Sequence, residues 1–443
     1  MNAAVNKSEI SLSGAEWLMR ASTQRVFQAL TAKGHEARAV GGCVRDSLLA
    51  ALTHNETDDP RSGKVGEAAD IDIATTSSPE ETVRLAETAG LRTVPTGLAH
   101  GTITIIADAT PYEVTTLRRD VETDGRHADV AFTSDWAVDA ARRDFTINAL
   151  YANPDGSLFD PLNALPDLRA RRVRFVGDPH QRIREDYLRI LRIFRFFARF
   201  GKGRPEHESL EACVSERAGL GRLSRERIGH EMLRLLVARG ATSTLAVMAE
   251  NGLLTEVLPV APTIERFARY AALEEKLNLQ AIHPAMRLAA LTIAVDENAQ
   301  RIGDALRLSN EQTRILVQWA DALRRAKDTG KERPDVDRTS ILKRLLYRLG
   351  KDDYRRKILI DAALAADHLD FAEISHELNL PERWTPPRFP IAGHDLLALG
   401  MSPGPELGDC LSALEIDWIT SDFSLTESQL KERVVIAYLR PKN

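Results

Sequence analysis

The chain has 443 residues, 43% hydrophobic and 28% charged, with a formal charge of −5 and a mean hydropathy of −0.26, room enough for two or three domains around a substantial core. No apolar run approaches the roughly 18–20 residues that span a bilayer, and the N-terminus lacks the basic and apolar regions of a secretory signal. Cys43, Cys213 and Cys410 are scattered and odd in number, which excludes a disulfide framework or zinc cluster and points to a cytoplasmic protein; no membrane and no obligate protein partner is inferred.

The overall charge argues against a polybasic nucleic-acid binder, but it hides an asymmetry. Residues 166–240 carry 18 Lys and Arg against 10 Asp and Glu. Phosphate binding depends on where cations cluster rather than on the total.

In chain order, residues 14–33 read as a helix. "HEARAVGG" is a strand entering a turn at Gly41 and Gly42, and "CVRDSLLAAL" leaves it as a helix. Missing β-carbons let a phosphate approach the backbone, and the first amides of the helix point at it. Arg45 adds a guanidinium fork in the first turn. A Gly-Gly turn alone is more often structural. Residues 53–68 read as a polar loop. "ADIDIAT" follows as a strand, on which Asp70 and Asp72 face one side and Ile71 the other. Two adjacent anions call for a cation, and Mg²⁺ takes oxygen ligands of this kind.

Ser78 as N-cap, Pro79 at the first position and Glu81 as the other half of a capping box start the next helix. "GTITIIADATPYEVTTLR" alternates as a hairpin turning at Asp108–Pro111 and offers Glu113 as a third carboxylate on a neighbouring strand. Three carboxylates with a nucleotide phosphate suggest phosphoryl transfer by two metals.

"RRDFTINAL" sets Arg142, Arg143 and Asp144 at a helix start; Arg143 reads either as an ion pair at the end of this domain or as a nucleotide contact. Strands mixed with helices to about residue 160 indicate an α/β head, and helical periodicity dominates from there. Breaks fall at Gly201–Pro205, Gly219–Ser224, Pro259–Thr263, Gly330–Pro334 and Leu380–Pro390, and Thr426 with Gln429 forms a capping box for the last helix. Asp178 and Pro179 read as N-cap and first residue of one helix, and "SRERIGHE" as another helix start with ion pairs. Between them, "REDYLRILRIFRF" (Arg184–Phe196) reads as one helix. Arg189, Arg192 and Arg195 recur every third residue among apolar neighbours. On such a helix Asp186 and Arg189 are neighbours about 60° apart.

In this order GGxVRD, DxD, EVTTLR, RRDFTINA and GDPxxRxxEDxxRxLRxxRF resemble the bacterial class II tRNA nucleotidyltransferases, the family of CCA-adding enzymes and bacterial poly(A) polymerases. The resemblance covers roughly residues 35–235, with weaker likeness in "LRLSNEQTRIL" and "GHDLLALGMSPGPELG". It implies an α+β chain with a nucleotidyltransferase head and a small mixed sheet (1–160), then an all-α neck (161–265), body (266–370) and tail (371–443). Asp70 and Asp72 match its Mg²⁺ ligands and Glu113 its third acidic residue. Gly41 and Gly42 match its phosphate turn; Gly42, Arg45 and Arg143 match nucleotide contacts. Asp186 and Arg189 match the pair that reads the incoming base, and Arg192 and Arg195 further contacts. "DGRHADVAF" (124–132) lies where the family has a mobile loop. The loop 53–68 is longer than the family's usual link, and His394-Asp395 lacks the second histidine cluster of relatives with a phosphohydrolase domain, so no such activity is expected.

The implied substrates are CTP, ATP and the 3′ end of tRNA. Cytosine and adenine both present an exocyclic amino donor beside a ring-nitrogen acceptor, which a carboxylate and an arginine complement. Uracil and guanine present a carbonyl beside a ring N–H and leave both groups mismatched, at about 1–3 kcal/mol each. The same motifs suit an enzyme adding only A, either to CC-ended tRNA or as poly(A), or a silent RNA-binding scaffold.

Overall fold

The computed structural model describes residues 10–52, 71–123, 128–279, 283–328, 337–365 and 370–436. Contacts group the chain into two compact units, one of Met1–Ile264, Gln280–Thr292 and Gln300–Thr313, the other of Glu265–Leu279, Ile293–Ala299 and Arg314–Asn443.

The first unit opens with α1 (Glu16–Met19) and α2 (Ala21–Leu30) where the sequence predicts one helix. Arg20 between them is extended, at φ −54° and ψ 141°. Side chains take over carbonyls that helix amides would have met: Thr23 Oγ1 donates to Trp17 O at 2.6 Å and Gln24 Nε2 to Leu18 O at 2.9 Å. Then come β1 (Ala37–Val40), α3 (Gly42–Leu52), β2 (Ile71–Thr75), α4 (Pro79–Thr88), β3 (Arg92–Gly97), β4 (Thr102–Ala107) and β5 (Thr110–Thr116). Ser78 caps α4 by accepting from Glu81 N at 3.2 Å, but the Glu81 carboxylate is drawn to Lys33 and Arg84, so only half of the expected box forms. Asp108 and Ala109 both have positive φ, 49° and 63°, the two-residue turn whose twist matches a hairpin, and Ala107 pairs with Thr110 across it.

β6 (Arg118–Thr123) and β7 (Ala128–Phe132) pair antiparallel as a separate ribbon. The stretch read as a mobile loop is therefore partly a strand; residues 124–127 lie outside the described residues. After α5 (Trp136–Ala141), β8 (Tyr151–Ala152) and β9 (Leu158–Phe159) complete a seven-stranded sheet of order β3-β4-β5-β2-β1-β8-β9. The β2–β5 pair is parallel and the other recorded pairings are antiparallel. The α+β class with a small mixed sheet is what the structure has.

The helical arm begins with α6 (Leu165–Arg169), α7 (Pro179–Glu185), α8 (Leu188–Phe200), α9 (His207–Ser215) and α10 (Arg225–Leu236). Asp178 caps α7, accepting from Gln181 N at 2.7 Å with Pro179 at the first position. The predicted helix Arg184–Phe196 is broken. Asp186 is extended at φ −156°, ψ 105°, and it caps α8 from outside: Oδ1 accepts from Leu188 N at 3.1 Å and its carbonyl from Arg189 N at 3.0 Å. Aspartate gains more at a helix start than inside one.

The buried side of α8 holds Leu188, Ile190, Leu191, Ile193, Phe194, Phe196, Phe197 and Ala198, and α8 packs on α10. In the second unit a long helix, Arg338–Leu364, is interrupted at Gly350 (φ 73°, ψ 173°). A core around Leu396, Cys410, Leu414, Trp418 and Leu430 closes the C-terminal end. Thr426 and Gln429 form the expected capping box on the last helix, Glu427–Val434. The break predicted at Gly330–Pro334 lies outside the described residues, and a short helix, Leu380–Arg383, occupies the start of the predicted break at Leu380–Pro390. Asp395 is used structurally, accepting from Ala392 N at 2.9 Å and pairing with Lys431 at 3.0 Å.

Candidate active site

β1 ends at Val40 and the chain turns through Gly41, whose φ of +80° is left-handed and costs glycine nothing. A β-carbon there would stand 3.2 Å from Asp72 Oδ2, so turn and carboxylate are already in close contact. Gly42 opens α3. In β2, Asp72 pairs with Val40 on one side and with Glu113 of β5 on the other. Ile71, Ile73, Tyr112 and Val114 are buried on one face of the sheet. Alternation turns Asp72 and Glu113 to the opposite face, on parallel strands about 4.8 Å apart. Asp70 lies outside the described residues. Hard oxygen donors on adjacent strands beside a glycine turn suit Mg²⁺. Cys43, next along α3, is buried beside Asp72; burial first, and that carboxylate second, push its thiol up to about 12. It stays protonated and is no nucleophile.

Arg45 does not reach out as a free fork. It is 5% exposed. Its Nε donates to Asp46 Oδ1 at 2.7 Å, its Nη1 to Asn148 Oδ1 at 2.6 Å, and its guanidinium lies 4.1 Å from the Phe200 ring centre. Burial lowers its affinity for the proton, and Asp46 opposes that.

The segment after α5 is a turn followed by a short 3₁₀ stretch, Thr146–Asn148, rather than an α-helix start. Arg142 Nε donates to Asp139 Oδ1 at 2.8 Å, and Arg143 donates to Asp139 Oδ2 and to the Tyr151 hydroxyl, each at 3.1 Å. Of the two roles open to Arg143, this geometry is the ion pair. Asp144 accepts from Phe145 N and Asn148 Nδ2, each at 2.9 Å, and from Arg192 Nε at 3.0 Å. Burial alone would raise the Asp144 carboxyl; Arg192, together with the hydrogen bonds from Asn148 and Phe145 N, holds the group below the usual carboxylate range.

Along α8, Arg195 Nε donates to Glu231 Oε2 at 2.6 Å, and Arg192 comes within 4.0 Å of the same carboxylate. Asp186 and Arg189 are not paired with each other. Asp186 Oδ2 accepts from Arg227 at 2.7 Å, whereas Arg189 donates to Arg182 O at 2.8 Å and contacts Glu185 closely. A continuous chain of contacts thus runs from Arg192 through Asp144 and Asn148 to Arg45 and Asp46, and on to Arg199.

The sequence gives no site role to Asn148, Arg182, Arg227 or Glu231. Arg182 is buried and donates to Arg143 O at 2.7 Å, latching α7 onto the turn after α5. Arg227 and Glu231, four apart on α10, offer a signal as "SRERIGHE", but ion pairing there does not reveal the partners, Asp186 in the break between α7 and α8 and Arg195 on α8.

A mixed sheet with paired carboxylates beside a glycine turn, carrying a helical arm, is a nucleotidyltransferase fold. Residues 37–174 match the poly A polymerase head domain family, and residues 204–264 the family described as "Probable RNA and SrmB- binding site of polymerase A". The chain is 36% identical over 402 residues to a mitochondrial CCA tRNA nucleotidyltransferase 1 of Danio rerio, covering 89% of this chain and 86% of that one. It is 33% identical over 406 residues to a CCA-adding enzyme of Levilactobacillus brevis, covering 89% and 92%. A solved CCA-adding enzyme of Bacillus stearothermophilus in complex with CTP shares the fold at TM-score 0.67 and 22% identity, over 94% of this chain and 96% of that one. The chain belongs to the tRNA nucleotidyltransferase and poly(A) polymerase family that contains the CCA-adding enzymes.

Proposed function

We propose that this enzyme adds C, C and A to the 3′ end of tRNA from CTP and ATP without a nucleic-acid template. The tRNA 3′-hydroxyl attacks the α-phosphate and pyrophosphate leaves. Family membership supports the reaction, and one observation carries the reading of the site: Asp72 and Glu113 stand in register on parallel strands, with Gly41 against Asp72.

Asp72 and Asp70 are the proposed Mg²⁺ ligands, with Glu113 as the third acidic residue. Bound there, a pair of Mg²⁺ ions supplies acidity to the attacking hydroxyl and neutralises charge on the leaving pyrophosphate. Gly41 and Gly42 give the triphosphate access to backbone, and the first amides of α3 face it. Arg45, Arg192 and Arg195 are proposed phosphate contacts, held in place by Asp46, Asn148, Asp144 and Glu231. Arg143 joins them by exchanging Asp139 for phosphate.

Asp186 accepts from the exocyclic amino group of C or A and Arg189 donates to the ring nitrogen. Both are engaged elsewhere in the structure, Asp186 by Arg227 and Arg189 by Glu185. The incoming base competes with those partners, and only a base with the right donor and acceptor replaces both. The proposed division of labour is a catalytic head (1–160), a base-reading and tRNA-binding neck (161–265), a body (266–370) and a tail (371–443).

No helix among the described residues is long and apolar enough to cross a membrane. The proposed compartment is the cytoplasm, supported by three free, buried cysteines. The test is incubation with tRNA lacking its last three, two or one nucleotides, with CTP and ATP supplied separately. C enters the first two substrates and A the third; A incorporation alone marks the A-adding alternative.

A further inference from the structure

A cavity of about 140 Å³ lies where the turn after α6 meets the loop between α8 and α9, and four cations, Arg171, Arg172, Lys202 and Arg204, line it. It is separate from the arginine row. Phe197, which lines it, sits about 160° around α8 from both Arg195 and Arg199. Lys202 N donates to Arg171 O at 3.2 Å, tying the two loops together at backbone level. A side chain at Gly201 would meet the Phe197 ring at 2.3 Å, so the loop crosses close to that ring.

The charges around the cavity are poorly balanced. Among the described residues Arg171, Lys202 and Arg204 form no ion pair, and Arg172 shares Asp167, at 3.4 Å, with Arg174. The one acidic lining residue, Glu206, spends its carboxylate on Glu208 N and Ser209 N at the start of α9. Arg171 is also held at φ +52°, the left-handed position after a helix that glycine fills without strain.

We infer that this cavity seats one backbone phosphate of the bound RNA, on the far side of α8 from the nucleotide site. The inference rests on the reading of the protein as a tRNA-modifying enzyme. Three arginine forks and a lysine around an opening of this size suit a tetrahedral oxyanion. The cavity is lined by the end of the stretch matched to the head, which includes Arg171 and Arg172, and by the start of the stretch matched to an RNA-binding region, whose first residue is Arg204.

The test uses the full chain and tRNA lacking CCA. Arg171→Gly relieves backbone strain and removes a charge, so its Tm stays level or rises while KM for tRNA rises several-fold and KM for CTP does not move. Combined with Lys202→Ala and Arg204→Ala, tRNA affinity falls on the order of tenfold, and the slope of log affinity against log salt falls by about 0.7–0.9, one phosphate's worth. Inhibition by inorganic pyrophosphate is measured on the same variants. Weaker inhibition with unchanged tRNA affinity would assign the cavity to the free product and overturn the proposal, as would no change in either. Absence of C incorporation by the wild type would overturn the reaction, while the binding arm still reports on the cavity.

Discussion

Asp186 and Arg189 are three residues apart yet belong to different ion pairs, Asp186 with Arg227 of α10 and Arg189 with Glu185 of α7. The break at Asp186 is what separates them. It ends α7, caps α8 and points the Asp186 carboxylate at α10. If these two groups read the base, Arg189→Ala loses one matched hydrogen bond of about 1–3 kcal/mol. The ratio of kcat/KM for CTP to that for UTP then falls by roughly 5- to 150-fold. Full retention of C-over-U selectivity would remove Arg189 from base reading.

Glu113→Gln and Asp72→Asn keep shape and remove charge at the paired strands. Each lowers kcat for C addition by roughly a hundredfold or more, because the positive charge that stabilises the transferring phosphoryl group is no longer held. Circular dichroism and Tm stay near wild type, since both side chains lie off the buried face of the sheet. A variant with undiminished kcat would show that its carboxylate is not part of the reaction.

Gly41→Ala forces a residue with a β-carbon to φ +80° and brings that carbon to 3.2 Å from Asp72 Oδ2. The backbone cost is about 1–2 kcal/mol. Crowding of Asp72 adds a second signature, a fall in kcat larger than the stability loss explains. Denaturant unfolding and single-turnover incorporation, measured together, separate the two.

Asp144 supplies a pH dependence with a definite sign. Against the upward push of burial, Arg192 with the hydrogen bonds from Asn148 and Phe145 N holds its folded-state pKa below the unfolded value, so its contribution to stability is complete above about pH 3.9 and is lost as pH falls through the lower folded value. Asp144→Asn flattens that part of the acid-unfolding curve. At neutral pH it costs about 2–3 kcal/mol, less than a fully buried pair, because the Arg192 side chain is 32% exposed. An unchanged acid limb would contradict the assignment.

Much of this was legible in the sequence because short-range rules decide it. The alternation around Asp72, the two-residue turn at Asp108 and Ala109, and the caps at Ser78, Asp178 and Thr426 need only neighbouring residues. The break at Asp186 was hidden because the periodicity of "REDYLRILRIFRF" continues across it, and the partner of the Asp186 carboxylate, Arg227, lies 41 positions away. The surroundings of Arg45 were hidden for the same reason. Its neighbours in sequence suggest a phosphate fork; that Asn148, 103 positions on, and Phe200 on α8 hold the fork in place is set by packing. Period and composition locate elements; which carboxylate meets which arginine is decided by packing.

The measurement that bears most directly on the central claim is incorporation of labelled nucleotides into tRNA trimmed of CCA. The account predicts two C residues from CTP alone, one A added after them from ATP, no incorporation from UTP or GTP, and loss of all addition in Asp72→Asn. Addition of A but never of C, or addition that survives in Asp72→Asn, would contradict it.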